Sequence, residues 1–155
     1  MKLNFTIENQ TLLSSPDTDK LNLVSDSRNY LVAHFDFLSD EWKDTIVYAL
    51  FSYGKDTYKM IVGADKELDW NECYVPAEVI KAPGFTMSCY AGGRIPTNPV
   101  QIKIKKSGYT DKITNQKTTP DIMDQMNDYM MKYAMVCNEI LKECQKVRDE
   151  IGGNK

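Results

Sequence analysis

The sequence predicts a mainly β fold with one C-terminal α-helix: an antiparallel, immunoglobulin-like β-sandwich over residues 1–108, a linker over 109–119, a long coiled-coil helix over 120–151 and a short tail over 152–155. Three observations predict it. Apolar and polar residues alternate with period two through the N-terminal part, broken by turn chemistry, as in half-buried strands. Composition then shifts to Gly, Thr, Asn, Gln and Lys around one isolated Ile113, which leaves nothing to anchor a strand on a core. Beyond that stretch the apolar residues recur every three and four positions, the period of a helix seam.

The strand elements follow in order. Leu3, Phe5 and Ile7 alternate with Asn4, Thr6 and Glu8, and Leu21 and Leu23 flank Asn22. Leu31, Ala33, Phe35 and Phe37 alternate with Val32, His34 and Asp36. Ile46 to Tyr53 is a more continuous apolar run suited to a central strand, and Gly54 opens a turn into Tyr58 to Val62, which reads as a hairpin. Cys73 to Val75 meets Pro76, a residue suited to the first position of a helical turn through Ile80. Phe85 to Ala91 and Val100 to Ile104 resume the alternation, separated by Gly92-Gly93 and by Pro96 and Pro99, which cannot donate to a central ladder. Many short strands with frequent turns fit a sandwich.

For the helix, Thr119 is a suitable N-cap and Pro120 a suitable first residue, while Asp121 and Asp124 place negative charge at the positive end of the dipole. Gly152-Gly153 supplies a stop. At 1.5 Å per residue the helix extends about 48 Å. Met123, Met130, Cys137, Cys144 and Ile151 fall at heptad a positions, and Met126, Tyr133, Ile140 and Val147 at d, so every seam position is apolar. A parallel pairing sets Glu143, at g, beside Arg148, at e of the neighbouring chain. Tyr129 and Val136 at g, with Ala134 and Leu141 at e, widen the apolar face beyond what a dimer covers, so the expected assembly is a homotrimer. The competing use of this face is docking on the chain's own β domain.

Composition and motifs narrow the function. With 155 residues and 42% apolar content the chain can bury one core. A net charge of −3 gives no basic footprint for nucleic acid. No apolar run approaches the roughly 20 residues of a membrane span, and Met1 to Gln10 is too polar for a signal peptide. Cys73, Cys89, Cys137 and Cys144 form no C-x-x-C pair and read as free, mostly buried thiols of a protein made in a reducing cytoplasm. The one histidine, His34, shows no neighbouring carboxylate or thiol at a telling spacing, so neither metal, cofactor nor catalysis is expected. Asp65, Glu67 and Asp69 lack the glycine and distal glutamate of a calcium loop and read as a solvated turn. Among the aromatics, Trp70 and Tyr74 are the candidates for stacking on a host cell-wall glycan, which makes a carbohydrate-binding module the alternative reading.

One ordered series of short segments points further. Leu38-Ser39-Asp40-Glu41-Trp42, Ala49-Leu50-Phe51, Val75-Pro76-Ala77-Glu78-Val79, Gly84-Phe85-Thr86-Met87-Ser88 and Arg94-Ile95-Pro96-Thr97-Asn98 together resemble the N-terminal domain of baseplate upper proteins and related tail proteins from phages of Gram-positive bacteria, over about Leu31 to Gly108. The resemblance implies a β-sandwich module that attaches to a tail or baseplate and a following helix that bundles with partner copies. It implies a virion protein with other tail proteins as partners and no enzymatic activity. Such proteins commonly continue into a further C-terminal domain, whereas this sequence ends at Lys155; a scaffold or adaptor is the corresponding expectation.

Overall fold

A computed structural model of the chain describes residues 1–93, 95–108 and 119–152. It is mainly β, with two sheets around one core and a single long helix at the C-terminal end.

The first sheet has four strands in the order β2-β1-β3-β6, with β1 at Lys2–Glu8, β2 at Thr11–Ser14, β3 at Val32–Phe37 and β6 at Glu72–Tyr74. The second has β4 (Val47–Tyr53) between β5 (Asp56–Ile61) and β7 (Gly84–Ala91). On the far side of β7 lie β8 (Ile95–Pro96) and β9 (Val100–Lys103), end to end. Period-two alternation does what it predicts on β1, where Leu3, Phe5 and Ile7 are buried and Lys2, Asn4 and Glu8 are exposed. Phe5 and Phe35 from one sheet and Phe51 and Phe85 from the other enter the same core, with ring centroids 5.6 Å and 5.9 Å apart within each pair.

Two strand expectations are corrected. The sheets are not purely antiparallel, because β1 and β3 pair in parallel. The β1–β2 hairpin, the short helix α1 (Pro16–Asp19) and the segment through residue 31 intervene, long enough to return the chain in the same direction. Leu21 to Leu23 forms no strand; Leu23 is a buried anchor, and the neighbouring Val24 makes one isolated bridge to Lys105. The predicted helical turn after Pro76 is a 3-10 turn over Ala77–Val79, with Pro76 at its cap.

The proline-rich edge has its own logic. Between β8 and β9, Thr97 keeps the ladder satisfied by donating its N–H to Cys89 O and accepting from Cys89 N at Oγ1. Asn98 then ties this edge to the other sheet, with Oδ1 accepting from Leu12 N at 2.7 Å and Nδ2 donating to Leu12 O at 3.1 Å.

The helix α2 spans Ile122–Gly152. Its cap is Asp121, whose Oδ1 accepts from Met123 N at 2.8 Å, and not Thr119 as expected; Thr119 bonds instead to Glu78 through its N–H and hydroxyl. Residues 109–118 of the expected 109–119 linker, Arg94 and residues 153–155 of the expected 152–155 tail lie outside the described residues.

Candidate functional site

One side of α2 is fastened to the β domain by polar residues. Strand β5 is a sheet edge, and its outward Lys59 O and Ile61 N would be unpaired there. The Gln125 amide takes both, accepting from Ile61 N and donating to Lys59 O, each at 3.1 Å, and is only 5% exposed. Two turns on, Lys132 Nζ donates to the carbonyls of Gly63, Asp65 and Leu68 at 2.8–3.1 Å. This ties the acidic turn to the helix and fixes that turn as a structural element. Sequence reasoning missed both anchors, since a polar residue on a helix is ordinarily solvated.

Beyond these anchors the helix leaves the β domain. From Tyr133 to Gly152 every residue is exposed, including the seam residues Tyr133, Cys137, Ile140, Cys144, Val147 and Ile151. On the docked turns the seam is also open: Met123 is 64% and Met130 62% exposed, with Met126 half-buried. The helix therefore does pack on its own domain, but along the Gln125–Lys132 side, and its apolar heptad lies on another. Glu143 and Arg148 are both exposed. Exposure of Cys137 and Cys144 corrects the expectation of mostly buried thiols, which holds for Cys73 and Cys89; burial pushes both of those thiols well above their ordinary range.

At the foot of the helix lies a groove of about 530 Å³ whose walls include Phe37, Trp42 and Trp70 from the β domain and Tyr129 and Tyr133 from α2. Trp42 is buried, with its indole N–H donating to Asn9 O at 2.7 Å, whereas Trp70 is 61% exposed and leans on Phe37 at 6.0 Å. Tyr129 and Tyr133 are in ring contact at 4.5 Å, and burial, followed by Tyr133, raises the Tyr129 phenol above its ordinary range. Of the two candidate glycan contacts, Trp70 lines the groove and Tyr74 does not. Tyr48 and Tyr53 are engaged elsewhere: Tyr48 stacks on Tyr90 beneath Lys59, and Tyr53 donates to Ala82 O.

His34 is not isolated from carboxylates, which corrects the sequence reading. Its Nδ1 lies 3.0 Å from Glu72 Oε1 and its Nε2 3.4 Å from Asp36 Oδ1. Glu72 is buried; desolvation works to raise its carboxyl, but hydrogen bonds from Lys2, His34 and Asp69 N outweigh it and hold the group below its ordinary value. Lys2 is raised in return, chiefly by its bond to Glu72. The cluster joins β1, β3 and β6, strands brought side by side by the sheet order, so no local spacing in the sequence announces it. Its polar groups satisfy one another, and among the described residues no group of His, Cys, Asp or Glu is placed to hold a metal ion. Among them, too, no helix is long and apolar enough to cross a membrane.

No protein-family model matches the chain, and no curated protein matches it.

Proposed function

We propose that this chain is a structural, non-enzymatic component of a phage or prophage tail or baseplate, a virion protein whose β domain docks to the tail assembly and whose helix self-associates. The observation that carries the assembly reading is the division of labour on α2. Gln125 and Lys132 hold one side to the β domain, while the apolar heptad from Met123 to Ile151, the half-buried Met126 excepted, is left open to solvent. A soluble chain gains by burying such a stripe, and a coiled coil of three copies covers the wide form it takes here. We read the two sheets as the layers of an immunoglobulin-like sandwich carrying one parallel pair. The tail assignment is supported by the ordered segments between Leu31 and Gly108 that resemble baseplate upper proteins.

Mass in solution tests the assembly. The intact chain is expected to scatter light as an oligomer, and Ile140→Asp, which would bury one unpaired carboxylate per copy, is expected to be monomeric with its β domain intact. A monomeric intact chain at tens of micromolar would refute self-association. Mass spectrometry of purified tail particles tests the tail assignment separately, since absence of the chain from them leaves the assembly result standing.

A further inference from the structure

We infer that the aromatic groove at the foot of α2 is completed by a second copy of this chain, in a parallel, in-register assembly whose neighbouring helix lies across the groove. The inference rests on the self-association reading and adds orientation, register and a contact between the β domain of one copy and the helix of the next.

Position on the helix carries it first. Gln125 and Lys132 fall at heptad c and Tyr129 at g, so the β domain sits on the c/g side, about a quarter-turn from the seam at 100° per residue. Tyr133 belongs to both surfaces, as a d residue and as a wall of the groove. A helix laid on the seam therefore runs along the groove's mouth.

Charge and polarity then choose the orientation. In a parallel pair each g residue meets the e residue five further on in its neighbour. This sets Tyr129 against Ala134, Val136 against Leu141 and Glu143 against Arg148: apolar meets apolar and acid meets base. The antiparallel register that pairs eight of the nine seam positions, with Cys137 opposite Ile140, would instead set Glu143 against Val136 and Glu150 against Tyr129. That arrangement desolvates carboxylates without partners.

With the β domain on the c/g side, what faces it across the interface is the neighbour's e/b side. There stand Ala134 and Met131, the latter 56% exposed and on neither the seam nor the docked side of its own helix. A methionine is suited to an irregular aromatic socket such as the one between Trp70 and Tyr133. Repeated around a ring, each groove takes the next copy's helix and the contact closes.

The full chain serves as the test material. Mild oxidation by copper-phenanthroline and oxygen removes two electrons and two protons from each pair of thiols, passing the electrons to oxygen as the disulfide forms. Peptide mapping is expected to find Cys137–Cys137 and Cys144–Cys144 links; a dominant Cys137–Cys144 link would overturn the parallel register. Met131→Glu, a surface change that leaves the fold and the seam in place, is expected to weaken association tenfold or more. Assembly is also expected to blue-shift tryptophan emission, and Trp70→Ala to abolish that shift. An oligomer of wild-type affinity in Met131→Glu, with the same emission before and after assembly, would overturn the groove assignment while leaving self-association intact. Saturable binding of cell-wall polysaccharide by the monomer, lost in Trp70→Ala, would overturn it in favour of a glycan. A chain that never associates would remove both readings at once.

Discussion

Glu72 shows how one buried residue can couple folding to pH. Its carboxylate accepts from Lys2, His34 and Asp69 N, and these bonds leave its pKa below the ordinary value of 4.5 despite burial. A group depressed in the folded state contributes stability that is fully present above its unfolded value and is lost as pH falls through the folded one. Acid should therefore loosen the β1–β3–β6 sheet below about pH 4.5. Glu72→Gln keeps the shape and removes the titration. We expect it to cost about 1–3 kcal/mol at neutral pH, as a buried charge-assisted network is broken, and to flatten the acid limb of a urea-midpoint series taken from pH 7 to pH 3. An unchanged acid limb would show that other carboxyls, such as the depressed Asp26 and Asp40, carry the acid response. None of this was legible at the residue scale in the sequence, where Lys2, His34 and Glu72 stand far apart and meet only through the parallel pairing of β1 with β3 and the antiparallel pairing of β3 with β6.

Elements were read more successfully than their partners. The alternation Leu3, Phe5, Ile7 reports burial because a strand's period is local, and the central run through Phe51 reports a strand covered on both edges for the same reason. The three-four spacing of apolar residues that predicted a C-terminal helix is equally local, and the helix is there at Ile122–Gly152. Its docking was not, since Gln125 recognises the edge of β5 and Lys132 a loop some 64–69 residues away in sequence. The groove draws its walls from the ends of β3 and β4, the 3-10 turn at Trp42, the loop at Trp70 and the helix, so no short motif encodes it. The Gln125 anchor makes a clear prediction at this scale. Gln125→Ala strands Lys59 O and Ile61 N at a covered edge and is expected to destabilise the docked turns by about 1–3 kcal/mol. Hydrogen exchange should quicken at the Ile61 amide while the amides of β7 stay protected, and an Ile61 amide with unchanged protection would show that the helix contributes nothing to that edge.

For the whole molecule, two stabilities of different origin meet at Tyr133. The β domain has its own core, fed by both sheets, and needs no second copy. The helix beyond it spans about 28 Å at 1.5 Å per residue, and every residue along it is exposed, so among the described residues no burial offsets the entropy of ordering it. Helix stability comes mostly from packing an apolar face, so in the proposed assembly the order of this segment in solution rests on association. Binding of one copy to another stabilises it by mass action and makes its transition depend on concentration. Circular dichroism at 222 nm should lose helical signal on dilution through the association range, while the emission of the buried Trp42 stays that of a folded domain in the Trp70→Ala background. The helical melt should shift upward by several degrees for each tenfold rise in chain concentration, and the β-domain melt should not move. The seam is apolar and among the described residues its flanks offer one acid–base pair, Glu143–Arg148, so raising salt from about 0.05 to about 0.5 M should change the association constant by less than about threefold. A strong salt dependence would place the assembly on charged surfaces of the β domain and leave the heptad without its assigned work.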